Sequence, residues 1–191
     1  MLMGLLRPTE GVVTVAGHDV IGAPDAARRA LGAVPEEPAL YDWLTGREHL
    51  EFVREVRGGG DLDAALALMG IGSDADRLIR EYSQGMRRKT ALAAAMLGEP
   101  EVLLLDEALN GLDPPSAARV KSALAAHVER GGTVLLSTHV VETVQAVADR
   151  VVMLAHGRVV ADEQVADIGD SGLEALFLER IAREVAEGDS A

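Results

Sequence analysis

Two adjacent carboxylates are the first feature of the sequence that could do chemistry. The apolar run 102–105 is typical of a buried strand, and Asp106 and Glu107 follow it directly. Ligands of parallel sheets bind beyond the carboxyl ends of strands, so a turn here can bring both carboxylates into one site. The first then suits Mg²⁺ held through water, and the second suits proton acceptance from an attacking water. Taken alone, the pair is equally well explained as a strand that ends in surface acids.

A helix start provides a second candidate site. Ser83 precedes Gln84, Gly85 and Met86 at the beginning of a predicted helix that ends near Leu97. Free backbone N–H groups at the start of a helix form a binding site for anions. For this segment alone, an ordinary N-cap is the simpler interpretation.

Two further polar segments follow predicted strands. Asp113 lies in the segment 109–114, a few residues after the acidic pair, where it is expected to cap a helix that begins with two prolines. His139 follows the apolar run 133–137. A single histidine after a strand is more often a structural or surface residue than a catalytic one.

The elements around these segments predict an α/β fold. Short apolar runs indicate strands, and segments of helical periodicity lie between them. Such strand–helix–strand alternation implies a mostly parallel sheet with flanking helices. The predicted strands of this sheet are 31–34, 102–105 and 133–137.

A helical block at about residues 45–97 is predicted between the first two of these strands. Thr45 and Glu48 match the Thr-x-x-Glu capping box, and Asp61 and Ser83 begin two more helices. We expect a single domain over 1–191, with this block as a helical subdomain. The remaining predictions are the last turns of a helix at 1–7, strands around a turn at 11–20, a short helix at 142–148, a hairpin at 150–161 and an amphipathic C-terminal helix at 173–185.

Composition narrows the class of protein. The chain has 191 residues, no cysteine and a net charge of −13. The absence of cysteine excludes disulfides, zinc–thiolate sites and a cysteine nucleophile. The negative charge argues against nucleic acid as a partner, since phosphate contact needs clustered Lys and Arg. The apolar runs are far shorter than the roughly 20 residues of a membrane-spanning helix, so a cytoplasmic location is expected.

The order and spacing of the polar segments resemble the ATP-hydrolysing subunits of ABC transporters, over about residues 1–162. The sequence of residues 35–46 most resembles that of the ATP-binding subunits of drug- and antibiotic-type exporters. The matching segments are 82–86 for the signature usually written Leu-Ser-Gly-Gly-Gln, 105–107 for Walker B with its catalytic glutamate, 111–113 for the D-loop, His139 for the switch histidine and 35–38 for the Q-loop.

The resemblance implies a P-loop NTPase-type fold and a role for each matching residue. In the family, two ATPase modules enclose two ATP molecules. Asp106 would organise Mg²⁺ through water, with Glu36 as a further candidate ligand. Glu107 would polarise the attacking water, and His139 would contact the γ-phosphate. Asp113 would link the two sites across the dimer.

The implied partners are a second ATPase module, identical or different, and the membrane subunits of a transporter. The signature residues would close on the ATP held by the other module; they are Ser83, Gln84, Gly85 and Met86. Membrane subunits would dock near the Q-loop and the helical block, holding the chain at the inner face of the cell membrane. Tyr41 and Trp43 lie in this stretch, where packing within the block explains them equally well.

Three departures from the family pattern bear on activity. Glu36 stands where a glutamine is usual, and the signature has Gln84 for glycine and Met86 for glutamine. No G-x-x-x-x-G-K-[ST] motif occurs in the sequence, and the family places that P-loop just before the helix whose last turns we predict at the start of the chain. We therefore expect the 191-residue chain by itself to lack the P-loop and the N-terminal strands, to bind ATP poorly and to fold marginally.

Several functions fit this pattern. The first is a transport ATPase whose true start lies upstream. A second is a non-catalytic partner that supplies its signature helix in trans, although the Walker B pair would then have no purpose. A third is a non-functional remnant. A DNA-repair ATPase is disfavoured, because Glu36 and Ser83 are joined by one short helical block rather than a long coiled coil.

Overall fold

The computed structural model describes residues 1–168, 172–178 and 180, except for the side chain of Met69. These residues group into two compact units, Met1–Ser137 and Thr138–Ala191. The single domain and the separate helical subdomain stay predictions. The first unit contains, in chain order, β1 (Thr14–Val15), β2 (His18–Asp19), α1 (Pro24–Ala30), β3 (Leu31–Val34), α2 (Gly46–Arg57), α3 (Leu62–Met69), α4 (Gln84–Met96), β4 (Val102–Asp106), α5 (Pro114–Glu129) and β5 (Thr133–Ser137).

The main sheet of the first unit is parallel, as the strand–helix alternation predicts. Its described strands run in the order β3–β4–β5, with Val34 opposite Leu105 and Asp106 opposite Ser137. This register places the carboxyl ends of all three strands at one edge. The predicted α/β architecture, a mostly parallel sheet with flanking helices, is confirmed.

Apolar packing covers both faces of β4, in line with the prediction of a buried strand. Leu103 and Leu105 are completely buried in the larger core, which the helices α2 to α5 complete. Val102 and Leu104 point to the opposite face, where they pack against a smaller cluster around Val15 and Leu31. That cluster is built by the hairpin β1–β2, by α1 and by the start of β3.

The predicted caps of the helical block all form. Thr45 and Glu48 make a reciprocal capping box at the start of α2, and Gly58 ends this helix in the left-handed region with φ 81°. Asp61 caps α3 by accepting a hydrogen bond from the Ala64 N–H. Two short 3₁₀ turns, Gly72–Asp74 and Ile79–Glu81, lead from α3 to α4.

At the start of the chain one prediction is corrected and one helix was missed. Residues 1–7 form turns and bends instead of the end of a helix. So short a helix without a cap has too few backbone hydrogen bonds to offset its nucleation cost, and Gly4 takes φ 72°. The helix α1 was not predicted, because its buried face consists of Ala27 and Ala30 only.

The second unit contains α6 (Val141–Val147), β6 (Arg150–Ala155), β7 (Arg158–Gln164) and α7 (Val165–Ile168). The predicted hairpin is confirmed, with His156 and Gly157 at positive φ in its turn. Residues 172–178 and 180 are helical, in agreement with the predicted C-terminal helix. The rest of that prediction, residues 179 and 181–185, lies outside the described residues. The helix α7 was not predicted.

Within the part of the chain that the structure describes, every helix is too short or too polar to cross a membrane.

Candidate functional site

The candidate site of the first unit lies at the carboxyl edge of the parallel sheet. The chain leaves β3 at Pro35 and Glu36, β4 at Asp106 and β5 at Ser137. A small cleft of about 170 Å³ lies at this edge. Its lining residues are Met3, Ala33, Val34, Pro35, Leu104, Asp106 and Ser137.

Asp106 is the last residue of β4, and its carboxylate is exposed at the cleft. Its Oδ1 accepts a hydrogen bond from the Ser137 hydroxyl on the neighbouring strand. No group of three or more His, Asp or Glu side chains among the described residues forms a ready metal cage. A single exposed carboxylate beside a hydroxyl fits Mg²⁺, which keeps most of its waters and takes few protein ligands.

Glu107 turns the chain away from the strand direction. Its backbone has φ 47°, a left-handed conformation that is unusual for a glutamate, and its N–H donates to the Ser137 carbonyl at 3.0 Å. Its Oε2 accepts a hydrogen bond of 2.7 Å from Asn110 Nδ2. The turn and this bond fix the carboxylate at the edge of the sheet, as the sequence led us to expect.

The predicted anion site begins α4. Ser83 is the N-cap, and its hydroxyl accepts from the Met86 N–H at 3.2 Å. Gln84 and Gly85 occupy the first helical positions, where backbone N–H groups have no partner within the helix. Ser83 and Gln84 are exposed, so this helix start is accessible to an anion.

The loop after β4 contacts α4, which we call the signature helix because the signature residues stand at its start. A Cβ atom built on Gly85 would lie 3.6 Å from the Gly111 carbonyl oxygen. Asp113 caps α5 by accepting from the Ser116 N–H at 2.9 Å, which was the structural role expected for it. Its Oδ2 also lies 2.7 Å from Lys89 Nζ on α4. Its role between two modules stays a prediction.

Sequence reasoning missed the role of Arg88 on α4. Its guanidinium donates to the backbone carbonyl of Asn110, and its Nη2 donates to the Glu36 carbonyl at 2.9 Å. One side chain therefore joins the segment after β3 to the loop after β4.

The basic run 87–89 was the signal in the sequence that could have indicated these contacts. Arg87 pairs with Asp42 at 2.6 Å, and Lys89 pairs with Asp113, so each basic residue contacts a different segment.

Two further predicted site residues, Glu36 and His139, follow the ends of β3 and β5. Glu36 follows β3, as expected, and its side chain is exposed; only its backbone carbonyl has a described contact with the site. Its proposed metal contact stays a prediction. His139 belongs to the second unit, where it is exposed two residues after the end of β5. Its contact with phosphate also stays a prediction.

Known proteins resemble this chain over most of its length. The daunorubicin/doxorubicin resistance ATP-binding protein DrrA of Streptomyces peucetius is 37% identical over 177 residues, which cover 90% of this chain and 54% of that protein. The bacitracin transport ATP-binding protein BcrA of Enterococcus faecalis is 31% identical over 173 residues, covering 88% and 56%. The chain thus spans about half the length of these curated relatives.

Solved structures share the fold and confirm the predicted P-loop NTPase-type α/β class. An ATP-binding subunit of an ABC transporter superposes with a TM-score of 0.87 and 28% identity, covering 94% of this chain and 80% of that one. A dimeric ATP-binding cassette in a post-hydrolysis state with ADP and Pi superposes with a TM-score of 0.76 and 22% identity, covering 85% and 77%. The family model described as ABC transporter matches residues 1–110, more than half of the sequence. The chain therefore belongs to the ABC transporter ATP-binding family.

Proposed function

We propose that this chain forms the ATP-binding and ATP-hydrolysing part of a transporter subunit that powers export through separate membrane subunits. The observation that carries the proposal is the end of β4. Two carboxylates lie there, at the carboxyl edge of a parallel sheet. Asp106 accepts a hydrogen bond from Ser137, and Glu107 accepts one from Asn110. This arrangement suits phosphoryl chemistry, which depends on placing charge and one water molecule correctly.

In this proposal each carboxylate has one task. Asp106 would hold the Mg²⁺ of Mg–ATP through water, and that ion would supply positive charge against the phosphates. Glu107 accepts a hydrogen bond from the attacking water and then its proton. The Asn110 amide holds the Glu107 carboxylate in position for this. His139 would contact the γ-phosphate, and Glu36 is a further candidate to hold the metal ion.

A second ATPase module is the proposed partner for the helix start of α4. Ser83, Gln84, Gly85 and Met86 present a cap hydroxyl and backbone N–H groups to the γ-phosphate held by the other module. Asp113 closely follows Gly111, whose carbonyl lies beside Gly85 at this helix start, and this position suits Asp113 to connect the two sites.

Exposed aromatic rings support docking to membrane subunits. Trp43 is 71% exposed and packs on Tyr41 with ring centroids 5.8 Å apart; Tyr41 also contacts Phe52 edge-on at 5.5 Å. Large exposed aromatic groups are typical of interfaces. We place the subunit at the inner face of the cell membrane, and the resistance and bacitracin relatives favour a drug- or antibiotic-type cargo.

Phosphate release from Mg–ATP tests the enzymatic proposal. The protein is expressed with any residues that its reading frame encodes before Met1, and is compared with Glu107→Gln and the matched control Glu99→Gln, an exposed loop residue. Loss of a general base costs about 10²–10⁴-fold in rate. We expect such a loss for Glu107→Gln alone, with ATP binding retained. Undiminished hydrolysis by Glu107→Gln would refute the assignment.

The exposed start of α4 supports a second function, completion of the ATP site of another module. That function predicts no hydrolysis by the protein alone and stimulation when it is mixed with a P-loop-containing partner. Ser83→Ala should then abolish the stimulation, whereas Ser122→Ala, on the exposed side of α5, should not. Hydrolysis by the unmixed protein would exclude this second function.

A further inference from the structure

A cleft of about 260 Å³ in the first unit lies where the last turns of α1 and α2 meet the turn after α4. It shares no lining residue with the cleft at the carboxyl edge of the sheet. The residues that line it are Asp25, Arg28, Arg29, Val56, Arg57 and Gly98.

The cleft has an excess of positive charge. Three guanidinium groups face one carboxylate, and Arg28 and Asp25 already form an exposed ion pair of 3.3 Å. Among the described residues, neither Arg29 nor Arg57 has a carboxylate within ion-pair distance. The excess is notable because the chain as a whole carries a net charge of −13.

Arg57 is held in the wall of this cleft. Its Nη2 donates to the Leu31 carbonyl at 3.1 Å, and burial lowers the pKa of its guanidinium. Gly98, with φ 78°, allows the close approach: a Cβ atom there would lie 2.9 Å from Arg57 Cβ. The remaining donors of Arg57 have no hydrogen-bond partner among the described residues.

Balance of the helix dipoles explains only part of this arrangement. Basic residues in the last turn of a helix compensate its negative end, and Arg54 can do so for α2 from outside the cleft. One cation at each helix end is enough to compensate the dipole in this way. This compensation does not require the ends of two helices to bring three arginines around a common space.

We propose that this cleft binds a phosphate or phosphomonoester dianion. Guanidinium groups match the oxygens of such anions in geometry and charge. The cleft is smaller than the about 300–1,000 Å³ of sites for drug-sized ligands, so it fits a single phosphate group better than a nucleotide. Free phosphate and the headgroup of an anionic lipid share this chemistry. The proposal does not depend on the ATPase function.

Titration with inorganic phosphate tests the site on the protein expressed with any residues that its reading frame encodes before Met1. Arginine side-chain N–H resonances are followed by NMR at constant ionic strength. We expect saturable shifts at Arg29 and Arg57. Because a hydrogen bond to a charged group contributes about 1.5–3 kcal/mol, Arg29→Gln should raise the Kd about tenfold or more. Arg29 makes no described hydrogen bond, so this variant should fold normally.

Arg54→Gln is the matched control, since it removes the same charge from the last turn of α2 but leaves the cleft intact. Its Kd should stay unchanged. Shifts that do not saturate, or equal weakening by Arg54→Gln and Arg29→Gln, would overturn the proposal. Binding of the protein to phosphatidylcholine vesicles, with and without phosphatidic acid, distinguishes the two sources of phosphate. Vesicle binding that requires both phosphatidic acid and Arg29 identifies a lipid headgroup as the ligand. Binding of inorganic phosphate without binding to vesicles identifies a free anion.

Discussion

Lys89 Nζ lies 2.7 Å from Asp113 Oδ2, and this ion pair joins the signature helix α4 to the helix that follows the acidic pair. The lysine side chain is only 14% exposed, whereas the aspartate is about half exposed. The same carboxylate also accepts hydrogen bonds from the N–H and the hydroxyl of Ser116. Asp113 is therefore both the cap of α5 and the link to α4.

Acid should remove the stabilisation that Asp113 provides. The hydrogen bond from Lys89, followed by those from Ser116, holds the pKa of this carboxyl well below its usual value. A carboxyl whose pKa is lower in the folded state stabilises the fold fully above its unfolded pKa of about 3.9, and loses this effect as the pH falls towards the folded value. We expect Asp113→Asn to melt a few degrees below the parent at pH 7, with the difference shrinking below about pH 4.

Thermal unfolding across this pH range measures the effect. Glu129→Gln, at the exposed far end of the same helix, removes one carboxylate without these contacts and is the control. A difference between Asp113→Asn and the parent that grows on acidification would contradict the assignment.

Arg88 should control the order of two loops at once. Replacing it with Met removes the donors to the carbonyls of Glu36 and Asn110 and leaves both oxygens without this partner. We expect faster amide hydrogen exchange in the segments 36–40 and 108–112, by about tenfold for the loss of roughly 1–2 kcal/mol of local stability. Arg80→Met, at an exposed position without a described side-chain contact, should leave both segments unchanged. Equal effects of the two variants would show that Arg88 does not order these loops.

The parts of the fold that the sequence predicted are those with local signals. The capping box at Thr45, the N-cap Ser83 and the apolar strand ahead of Asp106 each depend on residues a few positions apart. Helix α1 has Pro24 at its start and Asp25 in its first turn, but alanine provides its whole buried face, so the apolar periodicity that identifies a helix is missing. At 1–7, apolar composition was mistaken for helical structure.

The candidate site shows the same division. Its carboxylates follow strands, so their placement could be predicted from strand order. The contacts of Arg88 join residues 22 and 52 positions apart through backbone carbonyls, which carry no residue-type signal. The positive φ of Glu107 was equally unpredictable, since nothing in a glutamate side chain favours it.

The strand that carries Asp106 depends on the core beneath it. Leu105 is fully buried, so Leu105→Ala should cost about 2–5 kcal/mol, a large part of the about 5–15 kcal/mol that stabilises a typical domain. Leu135→Ala on the neighbouring strand is the matched control: this side chain is 49% exposed, and the loss should be under about 1 kcal/mol. Denaturant unfolding of both variants provides the comparison. Equal losses would mean that the core does not lie under β4.

Gly32 sets the distance between the signature helix and the sheet. A Cβ atom at this position of β3 would collide with the carbonyl oxygen of Ala95 near the end of α4 and would lie 2.8 Å from Leu103 Cδ2. Backbone cannot move aside as a flexible side chain can, so Gly32→Ala should destabilise the fold by about 1–3 kcal/mol. Gly72→Ala is the control, since a Cβ atom there meets no atom within 4 Å and its φ is not positive. It should be neutral or slightly stabilising, because alanine restricts the unfolded chain. Chemical denaturation distinguishes the two, and a Gly32→Ala variant as stable as Gly72→Ala would show that α4 can shift away from β3 at little cost.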